Sequence, residues 1–297
     1  MLRGLHLAHK PVGPTSFTLV RDAMRGMKAP GVRPEKVAHG GTLDPFAHGL
    51  LILLVGPATK LMELMHPMPK TYVATIAWGL ETDTGDLQGK EVMRGDASTL
   101  TPAQLDAAVQ TFLGEHDQVP PATSAKKIDG EAAYKKAHRG EEVVLPPSRV
   151  FLLSARFLSH DLPRSSVLEL TARGGFYVRS LARDLGRALG CGAHLTGLHR
   201  TRIGPFEDPG AGKTALLTGE SAVPFCRRRA LTADETRDLR DGKTIAVGTI
   251  GPAAWSVPAG FPQMQAPIAA YLDDKVVALV REEGGVLRKV ADLGKGI

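Results

Sequence analysis

The residues that could do chemistry most directly lie in a glycine-rich segment at 38–49, which reads AHGGTLDPFAHG. Its one carboxylate, Asp44, could attack a carbon of a sugar or a base as a nucleophile. Pro45 disfavours helical dihedral angles at Asp44, and Gly40 and Gly41 allow a backbone or a ligand to approach closely. The segment therefore predicts a loop that presents a single carboxylate.

The same pattern has a purely structural explanation. An Asp-Pro pair is typical of a helix N-cap followed by the first helical residue, and the apolar run at 50–55 could be that helix. On this local pattern alone, the helix cap is the favoured interpretation of Asp44. His39 and His48 have no third metal ligand nearby in the sequence, so we expect no metal site, and either could be a hydrogen-bonded loop histidine.

The composition favours a polyanionic partner and disfavours several classes of enzyme. Lysine and arginine number 37 against 31 aspartates and glutamates, a formal net charge of +6, and basic side chains on a nucleic acid release counterions from its phosphates. The longest apolar run is far shorter than the roughly 20 residues that span a bilayer. No HExxH, CxxC or Walker sequence is present, and two cysteines are too few for a disulfide framework. We therefore expect a cytoplasmic protein without a metal or a cofactor.

Hydrophobic periodicity predicts a mixed α/β protein that must position this loop. Helices are predicted at 15–27, after the capping residue Thr101, at 177–189 and after the capping residue Thr232. Strands are predicted at 70–78 and 166–171. The first helix carries four apolar side chains on one face, namely Phe17, Val20, Met24 and Met27.

The chain changes in character after about residue 224, where glycines and prolines separate short apolar segments. Strands are predicted there at 244–247, 269–272, 276–280 and 286–290, with a hairpin turn at Asp273 and Asp274. Short strands at this density indicate a small β-rich module. We therefore divide the chain into domains at 1–224 and 225–297.

Five ordered sequence blocks resemble the bacterial tRNA pseudouridine(55) synthases of the TruB type. They are HKPVGPTS at 9–16, the loop at 38–49, KTYVATI at 70–76 with TDTGD at 82–86, QVPPATSAKKIDGEAAY at 118–134, and GFYVRSLARDLG at 175–186 continuing to 201. The resemblance implies a catalytic domain with a mixed, largely antiparallel central sheet, a thumb-like insertion at about 118–148 and a PUA-like C-terminal domain. It also implies cofactor-free isomerisation of uridine to pseudouridine in the T loop of tRNA, at position 55.

The resemblance assigns three residues to catalysis. Asp44 matches the catalytic aspartate, Tyr72 the tyrosine that stacks on the target base, and Arg179 the arginine that pairs with the catalytic carboxylate. Without the motifs, Tyr72 would be one more aromatic residue on a sheet and Arg179 a surface arginine on a helix. The departures from the family's pattern are Ala38, His9 and His199, and none of them alters these three residues.

The resemblance assigns five further residues to substrate binding. Tyr177 and Leu198 match residues that line the uracil pocket, although the pattern alone would place both in the core. His39 matches a histidine near the flipped nucleotides. Lys10 and Lys60 match basic positions near the site.

The expected partner is the T arm of tRNA, with the acceptor stem as a possible contact of the PUA-like domain. Six arginines and one aspartate lie between 173 and 202, and a second basic cluster lies at 126–139, so both could meet phosphates. We expect a monomer that needs no guide RNA. The alternatives are an RNA chaperone in which Asp44 is only a cap, a related synthase acting on another RNA, and a hydrolase using Ser124 or His48.

Overall fold

The computed structural model describes residues 2–28, 34–124, 126–128, 131–133, 136, 139, 141, 143 and 145–297. Two compact units make up the chain. One unit is formed by Met1–Met68 together with Arg202–Ile297, and the other by Pro69–Thr201. No helix among the described residues is long and apolar enough to cross a membrane.

Four of the five α-helices in the described residues were predicted, and the short helix at Met62–Met65 was not. The five are α1 (Ser16–Gly26), α2 (Met62–Met65), α3 (Pro102–Gln110), α4 (Val178–Ala188) and α5 (Ala233–Arg240), with short 3₁₀ segments at Gly56–Leu61 and Gly219–Ala222. Thr101 and Thr232 each close a capping box with the residue three positions on, as predicted, and Thr15 caps α1.

The strands number nineteen in the described part of the chain. They are β1 (Gly4–Lys10), β2 (Val37–His39), β3 (His48–Val55), β4 (Lys70–Trp78), β5 (Leu80–Thr82), β6 (Glu91–Arg94), β7 (Gly114–Gln118), β8 (Lys127–Ile128), β9 (Glu131–Ala132), β10 (Ser148–Asp161), β11 (Ser165–Ala172), β12 (Ala193–Ile203), β13 (Phe206–Glu207), β14 (Thr214–Leu217), β15 (Arg227–Ala230), β16 (Ile245–Ala246), β17 (Ile268–Leu272), β18 (Lys275–Glu283) and β19 (Val286–Asp292).

In the first unit, β3 is the strand that leads out of the 38–49 loop. It pairs antiparallel with β1 and with β2. Alternate side chains of β3 point into two different apolar clusters: Leu51 and Leu53 pack with Val20 of α1, and Leu50, Ile52 and Leu54 pack in the larger core. The run at 50–55 is part of this strand, so its interpretation as a helix is wrong. The run is continuously apolar because the strand is buried on both faces.

The larger core of the first unit combines residues from both ends of the chain. Leu5 and Ile52 share it with Tyr271 and Leu279, which follow the predicted domain boundary. The sheet β15–β17–β18–β19–β16 carries these later residues, and α5 packs on it through Leu239. The division at 224 stays a prediction, and the residues on either side of it share one core.

The second unit is built on a sheet in the order β12–β4–β11–β10–β7. The β4–β11, β11–β10 and β10–β7 pairs are antiparallel. Side chains alternate along β4 between buried and half-buried positions, as its sequence predicts, and Tyr72 lies on the buried face. This confirms the predicted mixed, largely antiparallel fold.

The predicted thumb-like insertion at 118–148 lies partly outside the described residues. Its described part includes the short antiparallel strand pair of β8 and β9. The basic cluster predicted there includes Lys135, which also lies outside the described residues.

Candidate active site

Asp44 is the first residue of a β-turn, not a helix cap. The Ala47 amide donates to the Asp44 carbonyl at 3.1 Å, and β3 begins at the next residue, His48. Aspartate at the first position and proline at the second are typical of a type I turn. The carboxylate is therefore half-buried on a turn, with the exposed Thr42 two residues before it.

The segment at 9–16 holds the backbone on both sides of Asp44. The Ser16 hydroxyl accepts from the Leu43 amide at 2.8 Å and donates to the Leu43 carbonyl at 3.1 Å. The Gly13 amide donates to the Pro45 carbonyl at 2.8 Å. Two sequence blocks of the resemblance therefore form one rigid structure around the carboxylate.

Lys10 contacts both the 9–16 segment and the turn of Asp44. Its side chain is completely buried, and its ammonium donates to the carbonyls of Pro11 and Pro14 at 2.9 Å and of Pro45 at 3.4 Å. These bonds satisfy a buried cation and bind the 9–16 segment to the turn of Asp44. The structure therefore gives Lys10 a positioning contact that the sequence did not predict.

The glycines of the loop allow the chain to pass close to the core. A Cβ on Gly40 would lie 3.2 Å from Met65 Cβ and 3.3 Å from Ile52 Cβ, which is tighter than ordinary contact. Gly41 has φ of +139°, a conformation that disfavours other residues. Its amide donates to Nδ1 of His39 at 3.4 Å, so the predicted substrate-binding histidine is fixed at the entry to the loop.

Arg179, a predicted catalytic residue in the second unit, is held by several hydrogen bonds. It lies on the first turn of α4 and is only 5% exposed. Its Nη1 donates to the Thr84 carbonyl at 2.9 Å and to Thr123 Oγ1 at 2.7 Å, and lies 3.5 Å from Asp86 Oδ2. Arg179 is therefore a buried arginine and not a surface one.

Asp86 and Thr123 contact Arg179 and were not among the predicted site residues. Asp86 is buried and accepts from Thr84 Oγ1 at 2.7 Å and from the Gln88 amide at 2.9 Å, which orients its carboxylate towards Arg179. Both residues lie inside sequence blocks of the resemblance, at 82–86 and 118–134. Their position in these blocks is the feature of the sequence that could have indicated a role. Three blocks of the resemblance thus meet at one guanidinium.

The remaining predicted residues of the second unit lie on its sheet and at the start of α4. Tyr72 is 7% exposed on β4, opposite Leu170, and Leu198 is buried on β12. Tyr177 is the N-cap residue of α4, and its amide donates to Gln118 Oε1 at 2.8 Å.

A buried lysine of the second unit was not predicted. Lys70 begins β4, and burial, together with repulsion from the buried Arg200, lowers its pKa to about 7. Its ordinary value is 10.5. Lys70 can therefore be neutral or charged near physiological pH.

Lys60 contacts the C-terminal end of the first unit. Its ammonium donates to the Asp292 carbonyl at the end of β19. Its predicted role in substrate binding stays a prediction.

The arginine-rich stretch at 173–202 offers fewer free cations than its sequence suggests. Arg179 and Arg200 are buried, and ion pairs join Arg187 to Glu81 and Arg202 to Glu207. An arginine already paired with a carboxylate contributes less to phosphate binding.

The hydrolase alternative gains no support at Ser124. Its hydroxyl is buried and has no hydrogen-bond partner in the part of the chain that the structure describes. A serine nucleophile needs an adjacent base to activate it.

Sequence comparison decides the family. A family model described as TruB family pseudouridylate synthase (N terminal domain) matches residues 30–178, and one described as tRNA pseudouridylate synthase B C-terminal domain matches 179–218. The tRNA pseudouridine synthase B of Mycobacteroides abscessus is 38% identical over 95% of this chain and 93% of the relative. The chain belongs to the TruB family of pseudouridylate synthases. A further relative from Mycobacterium tuberculosis, also named tRNA pseudouridine synthase B, is 37% identical over 98% of this chain and 95% of its own.

Solved structures similar to this family member support the fold. A Cbf5-Nop10-Gar1 complex contains a chain with a TM-score of 0.68 and 23% identity, covering 97% of this chain and 84% of its own. A chain of an H/ACA RNP bound to a substrate RNA containing 2'-deoxyuridine has a TM-score of 0.67 and 20% identity, covering 98% of this chain and 84% of its own. At such identities the likeness is one of fold.

Proposed function

We propose that this protein isomerises a uridine in the T loop of tRNA, at position 55, to pseudouridine, with Asp44 as the catalytic carboxylate. Family membership supports the reaction, and relatives named tRNA pseudouridine synthase B support the substrate. The observation that carries the role of Asp44 is its position on a turn fixed at Leu43 and Pro45. Such a turn presents a reactive group in a fixed orientation, as catalysis requires.

The chemistry needs a carboxylate and proton transfer. The C1′–N1 bond of uridine breaks, the base rotates, a C1′–C5 bond forms, a base takes the C5 proton, and N1 takes up a proton. Nothing is oxidised and no group is added, so the reaction itself demands neither a redox cofactor nor a metal. Asp44 has three routes: attack at C1′, attack on the pyrimidine ring, or removal of the 2′ proton. Asp44 or Tyr72 is the base for the C5 proton.

The residues of the second unit complete the proposed machinery. Arg179 is the proposed partner of the catalytic carboxylate, as the family resemblance implies. Its own anchoring by Thr84, Thr123 and Asp86 supports a role that needs a fixed guanidinium.

The target base must leave its stack in the RNA loop. Extrusion costs roughly a few kcal/mol, and stacking on an aromatic side chain such as Tyr72 returns about 1–3 kcal/mol. We assign His39, Tyr177 and Leu198 to holding the extruded base. Lys60 contributes charge to RNA binding.

The proposed partner is the T arm of tRNA, bound by a monomer that needs no guide RNA. The C-terminal PUA-like region is the proposed contact for the acceptor stem. A tRNA-modifying enzyme of this kind acts in the cytoplasm.

Tritium release from C5-labelled uridine in a T-arm stem-loop tests the proposal, because only replacement of the C5 hydrogen releases the label. We expect Asp44→Asn to abolish release while the dissociation constant for the stem-loop stays near the wild-type value. Asp106→Asn, on the exposed side of α3, is the matched control and should release tritium normally.

Other outcomes separate the alternatives. Binding and refolding of tRNA by the wild type without tritium release would favour an RNA chaperone. Release from a different RNA but not from the T arm would indicate a related synthase with another substrate.

A further inference from the structure

Phe17 is an aromatic side chain that the fold does not use. The sequence places it on the apolar face of α1 with Val20, yet Phe17 is 66% exposed and Val20 only 3% exposed. The face of α1 that packs on β3 consists of Val20 with Leu19, Ala23 and Met24. Among the described residues, no aromatic ring or cation contacts the ring of Phe17. A single exposed apolar residue is common on protein surfaces, so a function for Phe17 must be argued from the residues around it.

The first surrounding feature is a rigid connection to the turn of Asp44. Phe17 directly follows Ser16, whose hydroxyl makes two hydrogen bonds to Leu43, the residue before Asp44. Thr15 caps the helix through a 3.1 Å bond from the Thr18 amide. Phe17 is therefore held at a fixed position relative to the carboxylate, and ordering its backbone on binding costs little free energy.

The second feature is an unpaired cation on the same side of α1. Arg21 lies four residues after Phe17, so the two side chains are neighbours on the helix surface. Arg21 is exposed, and it makes no ion pair or hydrogen bond within the part of the chain that the structure describes. The neighbouring carboxylate of Asp22 lies 3.5 Å from Arg25 instead.

We propose that Phe17 and Arg21 form a binding platform for one unpaired nucleotide of the substrate RNA. The base stacks on the ring of Phe17, and its phosphate binds the guanidinium of Arg21. An aromatic face beside a cation is how proteins bind single-stranded nucleic acid without reading its sequence. The platform rests on the proposed function: Phe17 adjoins Ser16, which bonds to the residue before Asp44, so the nucleotide bound is one that flanks the target uridine.

Equilibrium binding of a T-arm stem-loop tests the platform. We expect Phe17→Ala to raise the dissociation constant about 5- to 150-fold, the equivalent of losing one stacked base. Phe17→Trp should keep wild-type affinity, and RNA should quench the fluorescence of the new indole. Arg21→Ala should reduce the slope of log affinity against log salt by about 1. Leu158→Ala, which removes an exposed apolar side chain of β10, is the control and should bind as the wild type does.

An unchanged dissociation constant for Phe17→Ala, or a tryptophan at 17 that RNA does not quench, overturns the proposal. The Phe17→Trp variant gives a result even if Phe17→Ala folds poorly. Failure of the proposed function is separate, because it shows as a wild-type protein that binds the stem-loop and forms no pseudouridine.

Discussion

At the scale of single residues, the candidate residues of the two units differ in their burial. Asp44 is half-buried on its turn, whereas Lys10, Ser16 and Arg179 are buried. The proposal of Asp44 as the catalytic carboxylate came from its sequence motif. The partners of Arg179 lie in segments distant in sequence, so the sequence blocks indicated those segments but not the contacts between them.

Lys70 predicts a pH dependence of stability that can be assigned to one residue. Its pKa falls from 10.5 to about 7 on folding. Between these two values the unfolded chain holds a proton that the folded chain lacks, so the free energy of unfolding rises with pH. Below about pH 7 both states are protonated and this contribution is constant.

Urea unfolding from pH 6 to pH 9.5 measures this contribution as a difference between variants. The wild type should gain stability relative to Lys70→Met as the pH rises above 7. Lys213→Met removes an exposed lysine and keeps Lys70, so the difference in stability between the wild type and this control should not change with pH. Parallel curves for the wild type and Lys70→Met would contradict the assignment.

At the scale of elements, the most accurate predictions were of features that depend only on residues close together in the sequence. The capping residues Thr101 and Thr232 start their helices as predicted, because a cap is satisfied within one turn. The alternation of buried and half-buried side chains along β4 was predicted equally well. The strand β3 could not be distinguished from a helix, because burial on both faces removes its period of two. The exposure of Phe17 also depended on which side of α1 packs on β3.

The contact between α4 and the turn that follows it predicts a steric effect. A Cβ on Gly186 would lie 2.2 Å from the Ala193 amide nitrogen and 2.4 Å from the Gly192 carbonyl carbon, so backbone must move. Gly186→Ala should therefore lower the free energy of unfolding by about 1–3 kcal/mol, the usual cost of overpacking.

Thermal unfolding of Gly186→Ala against Gly26→Ala is the measurement. Gly26 ends α1, and a Cβ there would meet nothing within 4 Å. The control should be neutral or slightly stabilising, because alanine favours a helix over glycine. Equal melting temperatures for the two variants would show that the turn after α4 adjusts freely.

At the scale of the whole chain, the first unit joins residues from the two ends of the sequence. Leu5 and Ile52 share a core with Tyr271 and Leu279. The composition change near 224 suggested a separate module, but composition does not reveal which core the later strands complete. The strands β1 and β3 and the C-terminal sheet therefore depend on each other for burial.

Truncation at residue 224 tests this dependence. Removing 225–297 would expose the apolar side chains of the shared core, so the fragment 1–224 should aggregate or unfold at temperatures where the full chain is native. Circular dichroism and size-exclusion chromatography report this. A fragment that is monomeric and melts cooperatively would show that 1–224 is an independent domain.

The central claim is that the side chain at position 44 acts on a uridine as an anion. Sequencing-based mapping of pseudouridine in tRNA, after incubation with the pure protein, tests it most directly. We predict one modified position, in the T loop, for the wild type and for Asp106→Asn, and none for Asp44→Asn. A T loop modified equally well by Asp44→Asn would contradict the account.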